Sequence, residues 1–174
     1  MIETARLLLR RPEPRDWEAF RGFMMSERSH LFGSHGHEGK AFRAFASELG
    51  HWEIRGFGMF AVVEKATGAT VAQVGPWAPP DWPEREIGWM VLADRAEGKG
   101  YGFEAAQAAL SHIWRVLQWE TVVSYIDATN DRSIRLAERL GARLDPAAAA
   151  PEAPGKTILV YRHPRPDPIR EGLA

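Results

Sequence analysis

Apolar and polar positions change period several times along this chain, and each change marks an element. Residues 5 to 11 read as a short strand, stopped by Pro12 and Pro14. Asp16 stands where a helix cap belongs, and Trp17, Phe20, Phe23 and Met24 follow at helical spacing. Phe42, Phe45, Leu49 and Trp52 predict a second helix, with Arg43, Ser47 and His51 on other faces and Gly56 and Gly58 ending the run. SHLFGSHGHEG, between these helices, reads as a loop. From Phe57 the period becomes that of strands: FGMFAVVE and TVAQV predict an antiparallel hairpin turning at Gly68. PWAPPDWPE, with four prolines in nine residues, reads as a stiff loop before a central strand, EREIGWMVL.

A third helix is predicted from about Gly102 to Gln118, with Phe103, Ala106, Leu110, Ile113, Trp114 and Leu117 on one side. TVVSYID reads as a strand, Asn130 to Leu140 as a helix ended by Gly141, and ARLD as the start of another strand. An alanine and proline insert precedes the last strand, TILVYRH. The order β, α, α, β, β, β, α, β, α, β, β predicts one mixed α/β domain over residues 1–164, with 165–174 a frayed tail.

Composition narrows the chemistry. The 174 residues carry a formal charge of −1, without the one-sided field of a nucleic-acid or anionic-membrane binder. Cys is absent, which excludes disulfide scaffolds, cysteine-ligated metals and a cysteine nucleophile. The leucine run near the N-terminus is too short for a signal-peptide core or a membrane span, so the expected compartment is the cytoplasm.

The chemical signal lies in EIGWMVLADRAEGKGYGFEAA, where a strand runs through Gly98, Gly100 and Gly102 directly into a helix. Alternate glycines permit a tight turn, and the unpaired first amides of a helix make an anion cradle. Arg95 and Lys99 would add local positive charge. A Walker loop is excluded: Gly155-Lys156-Thr157 is preceded by Ala150 where glycine is required, and Lys99 is followed by Gly100. The dinucleotide fingerprint fails at Phe103, its third glycine position counted from Gly98; Gly56-Phe57-Gly58 with Ala61 enters a strand instead of leaving one.

Arg95, Gly98 and Gly100 match R/Q-x-x-G-x-G/A, the acyl-CoA-binding motif of GNAT N-acetyltransferases. ETARLLLRRP, EIGWMV, GKGYGFEAA and NDRSIRLAERLGARL, in that order, resemble the branch that includes ribosomal-protein N-terminal acetyltransferases. The resemblance implies a mostly antiparallel sheet splayed into a V-shaped cleft and flanked by about four helices. It also implies acetyl-CoA as co-substrate and an amine acceptor; no metal is expected, and the oligomeric state is open between monomer and homodimer.

The same resemblance assigns residues. Met90, Val91 and Leu92 would offer backbone groups to the pantetheine arm, and the amides around Arg95, Glu97, Gly98, Lys99, Gly100, Tyr101 and Gly102 would hold the pyrophosphate. Asn130 matches an asparagine that reaches the CoA arm, and also reads as a plain helix cap. The backbone N–H near Val91 would face the oxyanion. Glu86 is the first choice for general base, against a solvated strand-end carboxylate, with Glu84 in reserve. The tyrosine that many members use as acid is replaced by Ala137, leaving Ser133, which could also serve its own helix terminus, and Tyr125.

On the acceptor side, His35 and His37 lie in the loop expected to line the cleft, and Trp77 and Trp82 could wall it, act as a lid or meet a second copy. A metal at His30, His35, His37 and Glu38 is disfavoured by the flexible glycine-rich loop. Acetyl transfer to a peptide N-terminus or small amine is one functional reading; a non-catalytic acyl-CoA sensor of the same fold is the other.

Overall fold

The structure, a computed structural model, describes residues 1–166. The expected C-terminal tail lies, from residue 167 onward, outside the described residues. The strands are β1 (Ile2–Glu3), β2 (Leu7–Arg10), β3 (Phe60–Glu64), β4 (Thr70–Trp77), β5 (Glu86–Val91), β6 (Val123–Asp127), β7 (Arg143–Leu144) and β8 (Ile158–Arg162). The α-helices are α1 (Trp17–Met24), α2 (Glu38–Arg55), α3 (Tyr101–Arg115) and α4 (Asp131–Arg139). The strands form one sheet in the order β1-β2-β3-β4-β5-β6-β8-β7, antiparallel everywhere except between β5 and β6.

Alternation along the central strands separates two apolar layers. One face packs Val62, Ile87 and Val74 against Ala105, Ala109 and Ile113 of α3. On the other, Met59, Met90 and Leu92 meet Phe20, Phe23 and Met24 of α1 and Phe45 of α2. Position β5 is thereby held between α3 below and the α1–α2 pair above.

The β5–β6 junction shapes the molecule's function. Their parallel pairing consists of the single register pair Glu86↔Val123. Beyond it Ser124 Oγ donates to the Ile87 carbonyl at 2.7 Å, and the strands then part. Leu92 N–H donates to Val71 O at 2.8 Å, and β4–β5 register sets Val91 opposite Ala72. In an antiparallel ladder the alternate residues then turn their backbone groups outward, so those of Trp89 and Val91 face the open wedge.

Several sequence expectations change here. Asp16 does not cap α1: its buried carboxylate accepts from both Arg10 terminal nitrogens at 2.7 Å, Thr70 Oγ1 at 2.5 Å and Glu13 N–H at 2.8 Å. A buried carboxylate gains more from a guanidinium and two further donors than from one exposed cap. Replacing Asp16 by Ala strands Arg10 and should cost about 3 kcal/mol, read as a lower urea midpoint with unchanged slope.

The buried face of α2 is also rotated from the predicted stripe. Ala41, Phe45, Glu48 and His51 are buried, whereas Phe42 is 60% exposed and touches Trp17 edge-on. Strand β4 continues through Pro76 and Trp77, which the proline pattern had placed in a loop. Proline is tolerated there because β3 ends at Phe60, opposite Val74, so no neighbouring strand requires the missing N–H. The two-residue β1 is too short to carry a periodic signal. Gly68, Gly56 and Gly141 terminate their turn and helices in left-handed conformation, as expected.

Candidate active site

Two adjoining hollows occupy the wedge. A groove of about 800 Å³ is lined by Val91, Glu97, Gly98, Gly100, Gly102 and residues along α4 from Arg132 to Arg139. A cavity of about 440 Å³ lies on the α1–α2 side, walled by Phe20, Met24, Met59, Trp77, Trp82 and Glu86 among others. Phe32, Trp89, Met90, Asn130 and Ser133 line both, so the two spaces adjoin there.

The glycine turn presents backbone donors to the groove. Gly98 and Gly100 adopt φ of 72° and 78°, a left-handed geometry costly for residues with a Cβ. These two turns deliver the chain to the N-terminus of α3. The Glu97 amide donates to Asp94 O at 3.0 Å within its own turn, so the donors left to the groove begin at Gly98. The Tyr101 side chain turns away, its hydroxyl donating to Glu64 at 2.6 Å, which leaves its backbone for the groove.

Arg95 is placed differently from the expectation. Its guanidinium donates to Glu64 at 2.5 Å and Thr67 at 3.3 Å, and Lys99 lies over the Tyr101 ring. Groove charge instead comes from Arg28, after α1, and from Arg132, Arg135 and Arg139 on α4. Arg28 donates to the carbonyls of Leu92 and Val91 at 2.8 Å and, with Arg132, grips Glu97. Because Leu92 N–H is paired with β4 and Met90 shares its phase, the cleft-facing amides are those of Trp89 and Val91, not Met90 and Leu92. Met90 contributes its side chain to both hollows.

At the mouth of the splay, Asn130 Oδ1 caps α4 through Ser133 N–H at 3.1 Å. The Ser133 hydroxyl accepts from Trp89 Nε1 at 3.1 Å, which leaves its own proton to be donated where the two hollows adjoin. Tyr125 lines the cavity but not the groove, and its hydroxyl accepts from Glu84 N–H at 3.0 Å. Ala137 is fully buried under β6 and β8, where it supplies packing and no hydroxyl.

Glu86 lines the cavity, its Oε2 accepting from Trp82 Nε1 at 2.5 Å. Burial raises its pKa to about 7, against the lowering effects of the Trp82 hydrogen bond and the Tyr125 backbone N–H. Glu84, by contrast, forms a bidentate pair with Arg162 at 2.8 Å, which holds its pKa below the usual range. The two neighbouring carboxylates are therefore separated into a structural anion and a group able to exchange a proton near neutrality.

Glu48 was not visible as a site residue in the sequence. It lies 8% exposed on α2, lines the same cavity, and its Oε2 has no hydrogen-bond partner. Burial, and secondarily the nearby Glu86, raise its pKa to about 8. A charged residue at the i+3 position from buried Phe45 was the available signal.

The acceptor-side loop reaches the cavity through Leu31, Phe32, Gly33 and Ser34. Its histidines do not line it: His35 Nδ1 meets Ser29 Oγ at 2.9 Å, and exposed His37 precedes α2. Trp77 stacks on His51 at 4.3 Å, and His51 is itself fixed by Phe57 O and Ala78 N–H. Among the described residues no group of three or more His, Cys, Asp or Glu is arranged to hold a metal ion. No described helix is long and apolar enough to cross a membrane.

One further pair resembles a nucleophile and base but cannot act as one. Ser124 donates to Ile87 O, so His163 Nε2, 3.0 Å away, must donate to Ser124. Burial lowers the His163 pKa to about 4, keeping the ring neutral. This pair closes the base of the wedge.

A family model described as Acetyltransferase (GNAT) domain matches residues 6–143. The chain belongs to the GNAT acetyltransferase family. The acetyltransferase from Agrobacterium tumefaciens str. C58 is 35% identical with a TM-score of 0.84, the match covering 93% of this GNAT chain and 92% of that one. The uncharacterized protein YkkB of Bacillus subtilis (strain 168) is 30% identical over 147 residues, 80% of this chain and 83% of its own. Spermidine N-acetyltransferase from Vibrio cholerae, solved with CoA and spermine, shares the fold at 15% identity and a TM-score of 0.69, over 91% of this chain and 94% of its own. The GNAT family uses acetyl-CoA, and the free backbone donors and arginines of the groove suit a polyanionic acyl carrier.

Proposed function

We propose that this GNAT domain is an acetyl-CoA-dependent N-acetyltransferase that acylates a primary amine by direct attack within a ternary complex. The observation that carries the reading is a half-buried carboxylate, Glu86, in a cavity that shares Trp89 and Ser133 with the groove at the glycine turn. Its pKa of about 7 suits a base that must accept an ammonium proton near neutrality.

An alkylammonium carries three protons on nitrogen. Glu86 takes one, directly or through water, and the freed lone pair forms the C–N bond. The amide retains one proton, and the departing thiolate receives the other as the C–S bond breaks. Val91 N–H faces the wedge and is the donor for the developing oxyanion. Ser133, with its hydroxyl proton directed by the Trp89 contact, relays a proton to sulfur. Ser133 is preferred to Tyr125 because it lines both hollows. Trp77 and Trp82 then position the acceptor, while Gly98 to Gly102 and the α4 arginines hold the carrier.

The direct test is release of CoA thiol from acetyl-CoA by purified protein across a panel of primary amines, with product mass measured. Amine-dependent thiol release equal to N-acetyl product supports the reading. Tight acetyl-CoA binding with no turnover on any amine would instead support the non-catalytic sensor.

A further inference from the structure

Glu48 has no role in the reaction just described, yet it is among the least comfortable groups in the molecule. A buried carboxylate oxygen without a donor is costly unless the group is protonated or meets a cation. Its surroundings supply no resident cation. Glu86 faces the same cavity from β5, and Tyr125 and Asp127 from β6. His51, one turn along α2, is occupied by backbone on both ring nitrogens. Lys156 reaches the rim, but its ammonium donates to the Leu31 carbonyl and lies 3.9 Å from Asp127.

We propose that Glu48 and Glu86 together form an ammonium-binding pair, and that the acceptor is a compact primary monoamine with an apolar, aromatic body. The inference rests on the acetyltransferase reading and specifies its substrate class. The walls include Phe20, Met24, Phe32, Met59, Trp77 and Trp82, which suit an aromatic or aliphatic body. The cavity, about 440 Å³, is of small-molecule size. Lys156 ties the insert before β8 to the loop after α1 at Leu31, narrowing the route an extended chain would need.

The charge balance selects one cation over two. Two carboxylates on one cavity oppose each other's ionisation, and the charge of Glu86 raises the Glu48 pKa, so a single proton on the pair is favoured. An entering ammonium permits both to ionise and expels that proton; Asp127, the other carboxylate on this cavity, is already engaged by the Thr129 N–H and hydroxyl and lies 3.9 Å from Lys156, so a second ammonium meets no uncommitted carboxylate. Glu86 then takes a proton from the bound ammonium for the reaction, while Glu48 holds the amine in place.

The test compares phenethylamine, diaminobutane and a tetrapeptide with a free N-terminus as acceptors with acetyl-CoA. Phenethylamine is expected to have a kcat/KM at least about tenfold above either competitor. Glu48→Gln should raise the phenethylamine KM about tenfold or more while the acetyl-CoA KM stays within about twofold. Calorimetric titration of phenethylamine into the CoA-bound protein, in buffers of different ionisation enthalpy, should register proton release that Glu48→Gln removes. A preference for the peptide or diamine, or an unchanged amine KM in Glu48→Gln, overturns this inference and leaves acetyl transfer standing. Acetyl-CoA binding without turnover of any amine overturns the acetyltransferase reading itself. The wild-type preference does not depend on how the variant folds.

Discussion

Glu86→Gln is expected to lower kcat by about a hundredfold to ten-thousandfold, the range associated with loss of a positioned general base. The substitution keeps the shape that accepts the Trp82 indole N–H, 2.5 Å from Oε2 in the wild type, so acetyl-CoA affinity should change little. The pH dependence supplies the sign. Burial raises the Glu86 pKa to about 7, and only the ionised form can accept a proton. Wild-type kcat should therefore climb as pH rises through about 7 and then level, while Glu86→Gln should lack that inflection. Glu84→Gln should behave otherwise: Glu84 is committed to Arg162, so its loss should appear as lowered stability with the kcat inflection retained.

The second large effect is expected at the cradle. Gly100 sits at φ 78° as the residue before α3, where a β-branched side chain is a genuine conformational outlier. Gly100→Val should weaken acetyl-CoA binding by about a hundredfold or more, because restoring allowed dihedrals turns the first amides of α3 away from the groove. Its cost to stability should be smaller, about 1–2 kcal/mol, since no core side chain is displaced. Equilibrium binding of acetyl-CoA and a thermal melt separate the two effects. The nearest heavy atom to a Cβ at Gly100 would be Arg6 Nη2 at 3.6 Å, so conformation rather than crowding decides the outcome.

These two sites were unequally legible in the amino-acid order. The glycine turn was readable because its constraint is local: left-handed dihedrals and a helix start leave a recognisable spacing. Glu86 could be named because it begins a strand beside that turn. Glu48 could not, because Phe42, Phe45, Leu49 and Trp52 make a plausible apolar stripe one position out of phase with the buried one. The register is set by tertiary packing: Phe45 packs on Trp17 and Phe20 of α1, Phe42 is left exposed and Glu48 is buried.

The arginines illustrate the same limit. Arg95 belongs to a recognised motif, yet Glu64 across the hairpin captures its guanidinium; Arg28, from a short turn far earlier in the chain, reaches Val91 and Glu97 instead. Which backbone groups of β5 face the wedge depended on a register visible only once β4 and β5 were paired. The histidines of the first interhelical loop were chemically attractive, but the apolar half of that loop lines the cavity.

The central claim is transfer from acetyl-CoA to an amine without an acyl-enzyme, and initial-rate kinetics with both substrates varied test it most directly. Double-reciprocal lines that intersect, with N-acetyl amine formed one-for-one with CoA thiol, are the predicted result. Parallel lines accompanied by acetylated protein would contradict it.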